Sequence, residues 1–224
     1  MTALLSTTYF GPVQWYQKLY RSEAAVIDVD ETFVKQTFRN RCYIAAANGV
    51  QALTVPIERA RLTRDVRISD HGDWRRVHWN AITSAYGESP FFEYYQDDLR
   101  PFYERRWEFL YDFNEAIRET VCSLIDIHPS LLPSPSASPS PMPSPSASPS
   151  PMPASSVPCS PMPAHCAGSM TDYRTAINPK HPAPDVDFLP RPYYQVYASR
   201  YGFLSNLSVL DLLLNMGPES IFYL

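Results

Sequence analysis

A segment of about forty residues, 129–168, cannot join any hydrophobic core, and it decides how the rest of the chain must fold. Its decapeptide PSPSASPSPM at 133–142 recurs at 143–152, and a decayed copy runs through Met162. Proline has no amide to donate and disfavours helix in the residue before it. Serine brings too little apolar area to offset the entropy of ordering. The segment is expected to be a disordered, PPII-like insert. A surface loop tolerates such an expansion, because closure costs only about 0.6 kcal/mol per doubling of length. The flanks, 1–128 and 169–224, hold enough residues for one discontinuous α/β domain. The second flank is too small to fold alone and is expected to pack on the first.

The first flank reads as strand, helix, strand. Ala3 to Thr8 is a short β-like run, and Pro12 takes the first position of a helix. Val13, Tyr16, Leu19 and Tyr20 recur at helical spacing, and Ala24 to Val29 is a compact apolar strand. A β–α–β unit of this length places two strands parallel. Arg41–Ala47 and Val50–Pro56 flank Asn48-Gly49, which predicts a hairpin with a type I′ turn. Arg64 to Ser69 alternates and reads as a further strand. A mixed, partly parallel sheet covered by helices is therefore expected.

Helices follow. Asp73 caps a helix whose apolar face is Trp74, Val77, Ala81, Ile82 and Ala85, and Gly87 stops it. Ser89-Pro90 opens a second helix through Phe91, Phe92 and Tyr95. A third runs from about Tyr103 to Ile125. Beyond the insert, Tyr193 to Tyr197 reads as a strand. Ser208 and Asp211 form a short-armed capping box for a helix over Val209–Met216.

The net charge of −4 gives no reason to expect a nucleic-acid partner. Cys42, Cys122, Cys159 and Cys166 share no metal-type or disulfide-type spacing. No run approaches a membrane span, and no signal peptide is legible, so a cytoplasmic location is expected by elimination. The sequence holds no P-loop, no G-x-G-x-x-G after a strand, no G-x-S-x-G elbow and no His-Glu-x-x-His. It specifies no cofactor, no metal and no oligomeric state.

Arg39-Asn40-Arg41 is the strongest candidate site. On a strand, Arg39 and Arg41 project to one side, while Phe38, Asn40, Cys42 and Ile44 face inward. Two guanidiniums so placed can grip a phosphate or carboxylate. They can equally serve as partners for Asp28, Asp30 and Glu31 at the exit of the preceding strand. Asn40 needs a hydrogen-bond partner inside. Asp28 lies where ligands of open α/β sheets bind and could act as a base. His78 stands at the edge of the helix's apolar face, as an acid/base group or a core histidine bonded to backbone. His71, in a loop, is a weaker candidate. The Gly11-Pro12 helix start could offer amides to an anion. Tyr9 and Gln195 line the same cleft if their strands are neighbours.

Five stretches carry a resemblance to a known family: TTYFGPVQWYQKL at 7–19, FRNRCYI at 38–44, NGVQALTVPI at 48–57, HWNAITSAYGESPFFEYY at 78–95 and YYQVYASRYGFLSNLSVLDLLLNMGPESIFYL at 193–224. Together they resemble the WbqC-like family, associated with bacterial surface polysaccharide (O-antigen) biosynthesis clusters. The resemblance implies a pathway class, surface glycan assembly, more than a reaction; together with the paired arginines it leads to the expectation of an enzyme, of transferase type, acting on a small anionic substrate such as a nucleotide-sugar or acyl donor. On that expectation Arg39 and Arg41 bind the anion, Tyr9, Asn40 and Gln195 belong to the substrate site, and Asp28 or His78 moves protons. Thr7-Thr8-Tyr9-Phe10 departs from the His/Gln-Gln-Pro-x-Tyr/Phe of many relatives, and the Pro/Ser segment stands where longer members carry a Gly-rich stretch. Those departures support a second expectation, a non-catalytic binding or scaffold protein.

Overall fold

Three apolar residues in a row, Ala3-Leu4-Leu5, make the first strand a fully buried one, as a central parallel strand must be. In a computed structural model, which describes residues 1–134 and 169–224, this strand is β1 (Thr2–Ser6). It leads through Thr7–Pro12 into α1 (Val13–Arg21) and returns as β2 (Ala24–Asp28), parallel to β1 with Leu4 opposite Val26. The expected β–α–β unit is present.

The hairpin follows as β3 (Arg41–Ala46) and β4 (Gly49–Thr54), antiparallel with Ala46 opposite Gly49. The tight residues are therefore Ala47-Asn48, one position earlier than the type I′ expectation. Gly49 alone carries the positive φ, +102°, and Asn48 does not. The hairpin forms a two-stranded sheet of its own, separate from the parallel sheet.

Helices α2 (Trp74–Tyr86), α3 (Phe92–Leu99), α4 (Pro101–Glu104) and α5 (Leu110–Leu124) cover the core. Strand β5 (Leu131–Leu132) then pairs with β2. After the Pro/Ser-rich segment, β6 (Met170–Asp172) pairs with β1, and the chain ends through α6 (Ala198–Tyr201), α7 (Val209–Met216) and a 3-10 turn over Gly217–Tyr223. The parallel sheet has the order β5-β2-β1-β6.

Several expectations need correction. Leu131 and Leu132, placed in the disordered insert, form a strand; residues 135–168 of that segment lie outside the described residues. Arg64–Ser69 is no strand. A 3-10 turn occupies Thr63–Asp65, and only isolated bridges join Ile68 to Ile57 and Arg67 to Phe109. The helix expected over 103–125 is broken at Arg105, whose ψ of 146° is extended, because Glu108 and Leu110 bond their backbones to Ile68 and Val66. Tyr193–Tyr197 is also not a strand. Tyr193 and Gln195 still alternate inward, but their side chains bond to α7 rather than their backbones to a neighbour. On α2 the buried face is rotated by one residue: Val77 is exposed and His78 is buried.

Candidate functional site

In an open parallel sheet, ligands bind beyond the carboxyl ends of strands where the chain's direction of travel across the sheet reverses. Here that point lies at β1. The chain leaves β1 for β2 on one side and comes back only after residue 169 to place β6 on the other. The loops following β1 and β6 enclose a crevice lined by Ser6, Thr7, Thr8, Arg39, Tyr173 and Arg174.

Local sequence sets this geometry. The turn before β3 is held against the β1 loop by the Tyr9 amide, which donates to the Phe38 carbonyl at 2.8 Å. That bond brings Arg39 over the end of β1. Tyr173 continues β6 by donating its amide to the Leu4 carbonyl at 3.0 Å, which sets Arg174 one residue beyond. Gly11 is required in the β1 loop, since a Cβ there meets Thr8 Oγ1 at 2.5 Å.

The two guanidiniums carry dense partner sets. Arg39 Nε donates to Glu31 Oε1 at 2.6 Å, its Nη2 also contacts Glu31 Oε2 and Ser6 Oγ (3.0 Å), and its Nη1 donates to Thr37 Oγ1 at 3.1 Å. Arg174 forms an ion pair with Asp28 and a forked pair with Asp172, at 3.0 Å from Nε and 2.6 Å from Nη2. The hydrogen bond from Arg174 holds the Asp172 carboxyl below its ordinary value against the opposing effect of burial. Thr7 Oγ1 faces this crevice, buried and without a hydrogen-bond partner. The cavity itself measures about 10 Å³, room for about one water. Both guanidiniums of the crevice are thus neutralised internally, by Glu31, Asp28 and Asp172.

The other sequence candidates fall into separate clusters. Arg41 Nε donates to Thr54 Oγ1 across the hairpin at 2.8 Å and does not join Arg39. Asn40 finds its inward partner in the Val55 carbonyl at 3.1 Å. The α1 start offers no free anion site, because Leu207 O and Asn206 Oδ1 accept from the Val13 and Gln14 amides at 3.0 Å. Gln195 lies with Tyr86 and Tyr193 around Asp211. Asp28 is the one catalytic candidate that reaches the crevice, through Arg174. Asp30 pairs with Arg64 at the surface.

His78 belongs to a buried chain. Tyr9 Oη lies 2.9 Å from His78 Nδ1 and 2.8 Å from Tyr103 Oη. With Nδ1 accepting from Tyr9, the ring proton sits on Nε2, a tautomer assigned from the partners. Burial depresses the His78 pKa from 6.5 to about 4, only partly opposed by the Thr54 carbonyl. The unfolded chain therefore binds a proton below about pH 6.5 that the folded chain refuses until about pH 4. The contribution of His78 to stability therefore rises with pH across that window and falls as pH drops through it. The full difference is about 3 kcal/mol, at 1.36 kcal/mol per pH unit. Urea melts of the protein and of His78→Gln between pH 7 and pH 4 should differ by this slope, the parent losing stability relative to the variant as pH falls.

Sequence reasoning did not find Arg174 or Thr7. Met170-Thr171-Asp172 is too short and polar to announce a strand. Thr7 gains meaning only once β6 is known to lie beside β1. Among the described residues, no group of three or more His, Cys, Asp or Glu side chains is arranged to hold a metal ion. Likewise no helix there is long and apolar enough to cross a membrane.

Comparison with known proteins adds three findings. A family model described as the WbqC-like protein family matches residues 7–141. An uncharacterized protein of Mycobacterium tuberculosis, Rv1507c, is 26% identical over 136 residues, covering 59% of this chain and 59% of that protein's own length. No solved structure matches. Thr7, Asp28, Arg39 and His78 lie within the span of the family model, whereas Arg174, Gln195 and Asp211 lie beyond it.

Proposed function

The chain belongs to the WbqC-like protein family, and on that footing we propose that it is an enzyme acting on an activated anionic sugar or acyl substrate in surface polysaccharide assembly of the O-antigen type. The observation that carries this reading is the crevice at β1, where Arg39 and Arg174 meet beside the unpartnered Thr7 hydroxyl. A phosphate or carboxylate entering there takes over guanidinium donors now held by carboxylates. Arginine's planar fork suits such an exchange. Arg174 is the more accessible of the two, its side chain 29% exposed against 11% for Arg39. Transfer of its guanidinium donors to the substrate would free Asp28 to accept a proton from an attacking hydroxyl. His78 serves this site indirectly, by fixing the Tyr9 side chain of the β1 loop.

A second reading is a non-catalytic binding or scaffold protein. It draws support from the same crevice, whose arginines are already paired and whose cavity holds about 10 Å³.

A thermal-shift screen with nucleotide-sugars and acyl donors separates the two. A ligand at about 100 times its dissociation constant adds roughly 2.7 kcal/mol. Arg174→Gln is expected to fold and to lose that shift, whereas Arg41→Ala, held at Thr54, keeps it. No shift with any donor sinks the enzyme reading and leaves the scaffold.

A further inference from the structure

The outer edge of the hairpin is open. Across an antiparallel pair, residues that bond to each other alternate with residues whose N–H and C=O point away. The phase is set at the hairpin's base, where the Val55 amide donates to the Asn40 carbonyl at 2.9 Å. Cys42–Leu53, Ile44–Gln51 and Ala46–Gly49 are therefore the bonded pairs, and the backbones of Tyr43, Ala45, Val50, Ala52 and Thr54 point outward. On the β3 side those groups are used. The Tyr43 carbonyl accepts from the Ser208 amide at 2.8 Å, and the Ala45 amide donates to Tyr86 Oη at 3.2 Å. On the β4 side, His78 takes the Thr54 carbonyl. Val50 and Ala52 have no partner among the described residues for either backbone group.

The side chains on this edge are open too. Val50, Gln51 and Ala52 are all exposed, although a strand with one buried face should hide every second residue. Gln51 stands opposite the fully buried Ile44 and so shares its face. It stays exposed because a groove of about 600 Å³ separates the hairpin tip from α2, where Asn80, Ala81 and Ser84 form the far wall. No residue lining that groove is charged. Nor does β4, Gly-Val-Gln-Ala-Leu-Thr, hold the charge or proline that commonly keeps an edge from pairing. Only an extended backbone supplies donors and acceptors at the spacing of Val50 and Ala52, so the occupant of this edge is a β-strand.

The free groups are self-complementary. About a two-fold axis through Gln51, Val50 of one copy stands opposite Ala52 of the other, and each such pair exchanges two backbone hydrogen bonds. Four bonds form, and they use the four unpartnered groups and no others. The two Gln51 residues then meet as a non-bonded pair with Cα atoms about 4.5 Å apart. Each amide carries a donor and an acceptor, so the two side chains can bond to each other in the groove. Charge favours the same occupant. A chain of net charge −4 repels its own copy, but this uncharged edge is a place where two copies meet without like charges in contact. We infer that β4 is a homodimerisation edge, joining two hairpins into one antiparallel sheet of order β3-β4-β4-β3. Two short edges bury less than the roughly 1,600 Å² of a standard interface, so the dimer is weak and depends on protein concentration.

The test uses the full chain in analytical ultracentrifugation, from about 1 μM to about 1 mM, a range that brackets weak association. The parent is expected to pass from monomer to dimer. Gln51→Lys and Gln51→Glu, at an exposed site that either residue can occupy in the folded monomer, each place like charges opposite across the axis. Each should weaken dimerisation at least about fivefold, and an equal mixture of the two should restore it. Amide exchange followed by NMR supplies a second measurement. The Val50 and Ala52 amides should gain protection at the high concentration, while those of Gln51 and Leu53, bonded to β3, stay protected at both. The inference is overturned if the parent is a monomer throughout, if either charged variant dimerises as well as the parent, if their mixture does not dimerise, or if Val50 and Ala52 exchange equally fast at both concentrations.

Discussion

Replacing Asp211 with alanine is expected to destabilise the protein by about 3–5 kcal/mol. The Asp211 carboxylate is fully buried on α7, with no cation among the described residues within hydrogen-bond reach. It accepts from Tyr193 Oη at 2.7 Å, Gln195 Nε2 at 2.7 Å and Tyr86 Oη at 3.0 Å. Alanine leaves the two tyrosine hydroxyls without an acceptor, at about 1–3 kcal/mol each, and opens a small cavity. Gln195 keeps its bond to the Leu204 carbonyl and loses less. Asp211→Asn preserves volume and one acceptor oxygen, so its cost should be about 1–2 kcal/mol. Urea denaturation at pH 7 of the three proteins checks the order, and equal stabilities would refute the hub. Burial raises the Asp211 pKa, with the three donors opposing it. A carboxyl raised on folding binds its proton more tightly in the native state. Its contribution is therefore greatest at low pH and lost as pH climbs through the folded value. Asp211→Asn should remove that slope.

The second large effect is expected at Lys18. Its ammonium lies 2.8 Å from Asp185 Oδ1, with both side chains nearly buried, and 4.7 Å from the centre of the Tyr173 ring. Burial pushes the Asp185 carboxyl up, but hydrogen bonds from Lys18 and Gln14 and the ammonium charge outweigh it and leave it below its ordinary value. Lys18→Met strands that carboxylate. Breaking one side of a buried pair costs about 3–5 kcal/mol, and the lower end applies because Gln14 and the Asp187 amide still donate to Asp185. The double variant Lys18→Met/Asp185→Leu should recover most of the loss, as apolar replacement of a buried pair commonly does. A double variant no more stable than the single one would show that the pair matters for more than charge compensation.

These two clusters also show what could be read from the sequence. The β–α–β unit and the hairpin were legible because their signals are local: Ala3-Leu4-Leu5, the spacing of Val13, Tyr16 and Leu19, and a glycine at the hairpin tip. The mixed α/β class followed from them. Tyr193–Tyr197 misled because alternation reports which side chains face inward, not whether the backbone has a neighbour. The 103–125 helix misled because its apolar period continues through Arg105–Phe109, where tertiary backbone bonds to Val66 and Ile68 outweigh propensity. Of the site, Arg39 and its alternative partner Glu31 were both visible in the sequence. Arg174, Asp185 and Tyr173 were not, because they lie in irregular chain whose meaning depends on docking beside β1 and α1.

The position of β6 has a kinetic consequence. On a ribosome, β1 and β2 emerge early and can pair at once, but the opposite edge of β1 waits for Met170–Asp172. Closing that contact late, across most of the chain, is a high-contact-order step and a slow one. Until it happens, an apolar strand edge stays unpaired, a template for any other strand nearby. Nascent or truncated chains that stop before residue 170 should therefore be the aggregation-prone species. The folded chain escapes that fate by covering the edge with Met170–Asp172.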